Sequence, residues 1–418
     1  MKTTYQLANG DVLALSINNS SFGQDSTLND KYTITDLMRM IESQISTPRY
    51  RIYVLYPDET INFEIPLSDI VEGGSYSENY QDGQRRSLSF QLYNDQGKYT
   101  PNINMFWAGT RLRLDLGVET FDGTTIWVQK GIFVVAKASV TQSQGEEKVS
   151  IEASDKFALF ENKTGTLDMT YEIPVGSLIQ DAIEGILRYD VGNSYPLDSR
   201  GIIYHSSFKD KRTQASISKS AGETLGSILI ELATQLSAEI FYNSQGVLTL
   251  IPTSETTTDQ DKPLLANVTG VNGDYDQLSF DFDMTAIINR VIVTGTSNTS
   301  NGVFKAVAVN DDPASPLCCQ RIGYRTGNVI NDSNITSNYL AEERAKYELR
   351  KQLILKSSTS LNIAFNPLLT VNSLIAINNT FFEMINQRFL IQSVSCGLDY
   401  GGTMSVSLSN LANLPFIN

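Results

Sequence analysis

From Tyr50 to about Phe160 apolar and polar residues alternate with a period of two, as in Arg51-Ile52-Tyr53-Val54-Leu55-Tyr56 and Ser87-Leu88-Ser89-Phe90-Gln91-Leu92. Such alternation puts the apolar side chains on one face of a strand. Turn signals at Pro57-Asp58, Asp82-Gly83, Asp122-Gly123 and Gln144-Gly145 divide the region into a mainly antiparallel sheet or barrel. One pattern occurs twice. Phe133-Val134-Val135-Ala136-Lys137-Ala138-Ser139 is followed by Val149-Ser150-Ile151-Glu152-Ala153-Ser154-Asp155. Far downstream, Phe389-Leu390-Ile391-Gln392-Ser393-Val394-Ser395 is followed by Met404-Ser405-Val406-Ser407-Leu408-Ser409-Asn410. The offset is 16 positions in the first case and 15 in the second. A Pro and a short strand precede each: Pro101 then Leu112-Arg113-Leu114, and Pro367 then Leu374 to Ile377. The chain is expected to contain one β-module twice, and duplication points to function through ring geometry rather than through a pocket.

Between and before these modules the period is helical. Behind a polar N-terminal arm, Ile34, Leu37, Met38, Ile41 and Ile45 predict an amphipathic helix capped by Thr33 and closed by Pro48. Pro174 is placed in the first turn of a helix whose stripe is Val175, Leu178, Ile179, Ala182, Ile183, Ile186 and Leu187. Ser220 and Glu223 have capping-box spacing ahead of a helix bearing Leu225, Ile228, Leu229, Leu232 and Leu236, then a hairpin at Asn243-Ser244-Gln245-Gly246. Thr253 to Asp261 reads as a solvated loop, and Arg290 to Gly295 as the start of a new strand region. The second module, from about Leu278, is interrupted by a Gly-, Asn- and Ser-rich loop at 296–302 and by a helix opening near Ser337. That helix buries Ala341, Ala345, Leu349 and Leu353, with Glu342 and Glu343 near its start and Arg350 and Lys351 near its end, as the helix dipole favours. The expected fold class is mainly β (α+β), with two antiparallel β-barrel or sandwich domains and a small α/β insertion domain. The boundaries are an arm and helix over 1–48, β domains over 49–165 and 276–418, and the insertion over 166–275.

Composition narrows the function. At 418 residues the chain exceeds a single core, which rarely grows past roughly 250 to 300 residues. A net charge of −14 argues against binding nucleic acid through its phosphates. No apolar run reaches the roughly 18 residues that span a bilayer, and the first residues lack the apolar core of a signal peptide, so synthesis in a cytoplasm without membrane insertion is expected. Three cysteines, with Cys318 and Cys319 adjacent and Cys396 apart, make no disulfide scaffold and read as reduced thiols.

Chemistry is nearly absent from the pattern. The single histidine, His205, has no G-x-S-x-G elbow to serve. Neither C-x-x-C nor H-E-x-x-H occurs, and no P-loop or G-x-G-x-x-G lies between a strand and a helix. Asp274, Asp276, Asp281 and Asp283 could line a calcium site, but they read better as a solvated strand face. Tyr50, Tyr53, Tyr56, Trp107 and Trp127 could stack on sugars, yet at strand positions they read as core or cross-strand partners. No catalytic residue, metal or cofactor is expected, and the chain is read as a structural protein rather than an enzyme.

Leu88-Ser89-Phe90-Gln91-Leu92-Tyr93-Asn94-Asp95-Gln96-Gly97-Lys98-Tyr99-Thr100-Pro101 followed by Trp107-Ala108-Gly109-Thr110-Arg111-Leu112-Arg113-Leu114 resembles the central baseplate hub proteins of phage tails and related contractile tail-like particles. The shared pattern is a strand, an Asn-Asp-x-Gly turn, a Pro and a Gly-led strand. The helix from Gly222 to Leu236 with its hairpin, Asp311-Asp312-Pro313-Ala314-Ser315-Pro316, and Asn366-Pro367-Leu368-Leu369-Thr370-Val371-Asn372-Ser373-Leu374-Ile375 also resemble hub segments. Asn372 departs from the pattern, standing where a Gly or a Gly-Asp pair is expected. The resemblance implies two tail-tube-like domains per subunit, over 85–160 and 280–418, in a homotrimer whose six domains form a pseudo-sixfold ring. Such a ring adapts a hexameric tail tube or distal tail protein above to a trimeric spike or tail-tip protein below, contacts other baseplate proteins, and forms part of the central channel of a virion tail. The insertion domain would lie outside the ring. Lumen-facing acids would keep passing DNA from sticking, although the acidity could equally serve solubility. Two alternatives remain: the hub portion of a long-tailed phage tail-tip protein, and a carbohydrate-binding or hydrolytic β-protein.

Overall fold

A computed structural model describes residues 2–7, 10–19, 38–39, 41, 47–102, 105–119, 124–143, 145–192, 196–252, 263–270, 275–280, 285–295, 303–332, 335, 337–356, 358–399 and 402–410. The N-terminal segment, expected as a polar arm, instead forms a hairpin, β1 (Lys2–Gln6) and β2 (Val12–Asn19). Leu13 and Leu15 are buried in it, and an apolar strand with an unpaired edge lowers its free energy by joining a sheet. Of the helix expected over Ile34–Ile45, Met38, Arg39 and Ile41 are described; they are helical, with Met38 and Ile41 buried, and the rest lies outside the described residues.

The first β-module comprises β3 (Thr47–Leu55), β4 (Ile61–Glu64), β5 (Ile70–Asn79), β6 (Arg86–Tyr93), β7 (Arg111–Glu119), β8 (Thr124–Ser143) and β9 (Glu146–Asp155). The middle region holds β10 (Tyr171–Ile173), α1 (Ile179–Leu187), β11 (Ile202–Tyr204), β12 (Ile217–Lys219), α2 (Leu225–Gln235), β13 (Ala238–Tyr242) and β14 (Leu248–Pro252) around its own apolar core. Next come β15 (Leu264–Thr269) and β16 (Tyr275–Phe280). A small unit follows, of β17 (Arg290–Gly295), β18 (Lys305–Val309), β19 (Ile330–Asp332) and α3 (Asn338–Lys356). The second module closes with β20 (Ser358–Ala364), β21 (Leu374–Asn379), β22 (Met384–Leu398) and β23 (Thr403–Asn410). The architecture is mainly β, and among the described residues one 15-stranded sheet has the path β16-β20-β23-β22-β5-β6-β9-β8-β7-β3-β4, with β1, β2, β15 and β21 branching from it.

The two modules have the same strand order. In the first, β5-β6-β9-β8-β7-β3 are neighbours; in the second, β16-β20-β23-β22-β21-β15. Phe133 pairs with Asp155 and Phe389 with Asn410, and each pairing shifts by a bulge after the second following residue, at Ala136 and at Gln392. Leu112 faces Phe133 as Ile375 faces Phe389. The Val135 N–H donates to Thr110 O at 2.9 Å, and the Ile391 N–H to Ser373 O at 2.9 Å. Val140 faces Val149 and Cys396 faces Met404, so the one-residue difference in spacing lies in the turn between the strands. One pairing differs: β3 is antiparallel to β7, whereas β15 is parallel to β21. β15 falls inside the 166–275 span expected for the insertion, yet Leu265, Ala266 and Val268 belong to the core shared by both modules.

Pro174 does not open a helix. β10 pairs with β12, Gly176 then turns with φ +82°, and α1 starts only at Ile179, leaving Val175 exposed. Positive φ is the conformation glycine adopts without a Cβ clash, and it cannot continue a right-handed helix. The Ser220 N–H donates to Glu223 Oε2 at 2.7 Å, half of the expected capping box, but Gly222 turns with φ +93° and Thr224 caps α2. The Asn243–Gly246 hairpin joins β13 to β14. α3 buries Ala341, Ala345, Leu349 and Leu353 against the β17–β18 hairpin, and Ser337 Oγ accepts from the Leu340 N–H. Asp122, Gly123, Gln144, the 253–261 loop and the 296–302 loop lie outside the described residues.

Buried ion pairs fasten the parts together. Arg86 donates to Asp11, to Glu78 Oε1 at 2.6 Å and to Tyr242 O at 2.6 Å. Thr370 Oγ1 of the second module donates into the same acids, 2.8 Å from Asp11 Oδ2. Beside it, Arg85 and Tyr80 hold Glu239 of β13, and Lys130 donates to Leu369 O at 2.6 Å. Lys156, wholly buried, bridges Glu59 and Asp198. Asn372, in the place of the expected Gly, has φ +59°, which Asn tolerates, and its amide donates to Glu239 at 3.3 Å.

Candidate functional site: a hydroxyl-lined sheet with open edges

Along β16-β20-β23-β22-β5-β6-β9-β8 the two faces differ sharply. The inner face carries Tyr76, Leu88, Phe90, Ile151, Ala153, Leu361, Val394, Val406 and Leu408, all in the shared core. The outer face repeats hydroxyl and amide residues: Ser75, Ser77, Ser87, Ser89, Gln91 and Ser150 in the first module, then Ser279, Ser360, Asn362, Ser393, Ser395, Ser405 and Ser407 in the second. Period-two alternation produces both faces from one strand sequence.

The hydroxyls meet across the strands. Ser75 Oγ is 2.8 Å from Ser89 Oγ, and Ser77 Oγ is 2.7 Å from Ser87 Oγ. The pair Ser279 and Ser360, at 2.5 Å, occupies the position of Ser75 and Ser89 in the other module. The Ser405 hydroxyl donates to Asn362 Oδ1 at 2.7 Å, and the Gln91 amide to Ser150 Oγ at 3.1 Å. Glu152 is paired with Lys137 at 3.2 Å, so this face presents neutral polar groups and an offset charge rather than a field of acids.

The modules are joined edge to edge. The second half of β22 pairs antiparallel with β5: Ser393 with Asn79, Val394 with Glu78, Ser395 with Ser77, Cys396 with Tyr76, Gly397 with Ser75 and Leu398 with Gly74. β8 is longer than its partners on one side. β7 leaves it at Val134, and from Lys137 to Ser143 its only strand neighbour among the described residues is β9. At the far end of the sheet, β20 is the only strand neighbour of β16 among the described residues.

Asp155 closes the β8–β9 ladder beneath this face. Its Oδ2 accepts from the Arg85 and Arg86 N–H groups at 2.7 and 2.9 Å, and its Oδ1 from the Phe157 N–H at 3.0 Å. Burial pushes its carboxyl up to about 6, against the pull of those donors and of the Arg86 charge. The native state therefore holds this proton more tightly than the unfolded chain. Its contribution to stability is fully present below about pH 4 and is lost as pH rises through about 6. Urea midpoints between pH 4 and 7 should show this loss, on the order of 2 kcal/mol, in the wild type and not in Asp155→Asn. Equal slopes in both proteins would contradict the assignment.

The residue types that could carry catalysis do not converge. His205 is exposed and caps a one-turn helix, its Nδ1 2.8 Å from Ser207 Oγ, with no hydrogen bond to a carboxylate among the described residues. Cys318, Cys319 and Cys396 are free thiols, Cys319 partly exposed. Asp276 is exposed, while Asp274, Asp281 and Asp283 lie outside the described residues. No group of three His, Cys, Asp or Glu among the described residues could hold a metal ion. Tyr50 and Tyr53 are core residues, Trp127 stacks on Arg51 at 4.2 Å, and Tyr56 and Trp107 are exposed singly. No helix among the described residues is long and apolar enough to cross a membrane.

No protein-family model and no curated protein matches the sequence. Solved structures do. A 43 kDa tail protein of prophage MuSo2 from Shewanella oneidensis is 14% identical with a TM-score of 0.57, covering 89% of this chain and 100% of its own. The tail protein from Neisseria meningitidis MC58 is 12% identical, TM-score 0.56, covering 87% and 99%. A chain of the Francisella PdpA–VgrG complex is 12% identical, TM-score 0.53, over 91% of this chain and 61% of that one. This chain therefore spans a little under two thirds of the Francisella chain. The shared property is the fold, the mainly-β fold of phage tail proteins.

Proposed function

We propose that the chain is the structural hub of a phage or phage-like tail, a homotrimer whose six modules form a pseudo-sixfold ring between the hexameric tube and a trimeric spike or tail tip. The observation that carries the reading is the β22–β5 junction, which joins two like modules head to tail. A head-to-tail contact repeated by rotation closes into a ring, and two modules per chain turn three subunits into six positions. The tail proteins from Shewanella and Neisseria, which share this fold along nearly their whole length, support a place in the tail. The likeness to a chain of the PdpA–VgrG complex supports a position next to a spike.

In the ring the serine-rich face lines the channel, because the opposite face is already buried in the core. Short hydroxyls satisfied by one another, with Lys137 offset by Glu152, give passing DNA little net cationic charge to adhere to and little apolar surface to wet. The net charge of −14 then serves mainly the outside of the particle, where it keeps a large assembly soluble. No step of this function requires bond chemistry, and the protein acts as a non-enzymatic component of the virion. Sedimentation or native mass measurement should give three times the 46.3 kDa chain mass. A monomer at high concentration and in assembled particles would overturn the reading.

A further inference from the structure

We propose that the open edge of β8 is completed by β16 of a second copy of this chain, antiparallel, with Val140 opposite the partner subunit's Phe280, Thr141 opposite its Ser279 and Gln142 opposite its Leu278. The inference rests on the ring reading and fixes which strands, in which register, make the contact between subunits.

The register follows from the junction inside the chain. Val140 holds the place of Cys396, since each lies the same number of ladder steps past the bulge and faces Val149 or Met404. Ser279 holds the place of Ser75: each faces the corresponding serine of the next strand, Ser360 or Ser89, and makes the same hydroxyl contact. Phe280 and Leu278 then stand for Tyr76 and Gly74. Cys396-Tyr76, Gly397-Ser75 and Leu398-Gly74 become Val140-Phe280, Thr141-Ser279 and Gln142-Leu278.

Exposure singles out the same edge. Cys396 is 6% exposed beneath its β5 partner, whereas Val140 is 47% exposed. An extended edge with unpaired N–H and C=O groups is a template for another strand, and proteins ordinarily cover or guard it. The occupant with matching chemistry is β16, whose second edge has no strand neighbour among the described residues and which brings the counterpart sequence and a serine that would extend the hydroxyl row through Ser139 and Thr141. Alternating intramolecular and intermolecular junctions of one kind give a closed sheet to which each module contributes four strands.

The test is a cross-link between separately marked chains. Chains carrying Thr141→Cys are co-assembled with chains carrying Ser279→Cys, both in a Cys319→Ser background, and oxidised. Directly opposed antiparallel residues lie about 4.5 to 5.5 Å apart at Cα, within disulfide reach. The expected result is a covalent dimer on a non-reducing gel. The control pair, Ser139→Cys with Gln277→Cys, is displaced by four positions, roughly 13 Å, and should not link. A trimer by mass that fails to link through 141 and 279, or links equally through the control pair, overturns the seam and leaves the ring reading standing. A monomer by mass overturns both. Val140→Asp gives an independent readout without cysteines: this side chain is half exposed in the single chain, so the fold is retained and the trimer is lost. A trimer that survives Val140→Asp with unchanged dissociation would also overturn the seam.

Discussion

Replacing Arg86 with Met should destabilise the chain by at least about 3 to 5 kcal/mol, the usual result of leaving a buried charge without its partner. Arg86 is 2% exposed and lies between Asp11 and Glu78, themselves 4% and 0% exposed. Without the guanidinium, two carboxylates would share Thr370, the Tyr76 hydroxyl and a few backbone donors in a site that water does not reach. The Asp11 carboxyl shows the balance: burial pushes it up, but Arg86, the Ser244 and Val12 N–H groups and Thr370 together hold it below its ordinary value. Arg86→Lys keeps the charge but loses the fork that reaches Glu78, Asp11 and Tyr242 O together, so it should fall between wild type and Arg86→Met. Because these partners come from the N-terminal hairpin, the first module, the middle region and the second module, the loss should appear as one cooperative shift of the urea midpoint. A separate early transition of one module, or a Met variant as stable as the wild type, would show that Arg86 does not unite them.

The second large effect tests the duplication directly. Phe133→Ala and Phe389→Ala should each cost about 3 to 5 kcal/mol, the range for deleting a buried aromatic side chain. Both rings are fully buried at equivalent places in the ladder, opposite Leu112 and Ile375. Phe133 also meets Tyr76 edge to face, with centroids 6.3 Å apart, a contact worth a further 0.5 to 1.5 kcal/mol in typical pairs, at about the order that separates two variants. The first substitution should therefore be the more damaging. Chemical denaturation of the two variants gives the comparison, and a cost below about 1 kcal/mol at either position would mean that it is not a core site of a repeated module.

The modules were legible because period-two alternation survives divergence: exchanging Lys137 for Ser393 or Val140 for Cys396 leaves the inward set apolar. The bulges at Ala136 and Gln392 were not legible, since an extra residue in a strand changes no composition, only the pairing. β15 is illegible for a related reason. It is six residues long, and its partner β21 lies more than a hundred positions away, so local sequence cannot reveal the parallel pairing. The N-terminal hairpin reads as a polar arm because Lys2 to Asn19 is weakly apolar, and its strand character comes from the pairing of β2 with β8. The α1 boundary failed on a single residue: Pro174 suits a helix start, but Gly176 in a left-handed conformation forbids one there.

The site was legible only in part. Catalytic motifs are nearly absent from the sequence, and the backbone edges and serine rows of the proposed site carry no motif of their own. Arg86, Asp11 and Glu78 gave no signal either, for each sits in a locally polar stretch and becomes buried through partners up to several hundred positions distant. The serine face could have been found by reading the outward positions of each strand together, since Ser75, Ser77, Ser87 and Ser89 already alternate with core residues in the sequence.

Imaging the assembled chain end-on tests the ring itself. The expected class averages show six lobes of two alternating kinds around an open centre. A particle with no central opening, or a closed ring whose lobe number is not twice the number of chains, would contradict it.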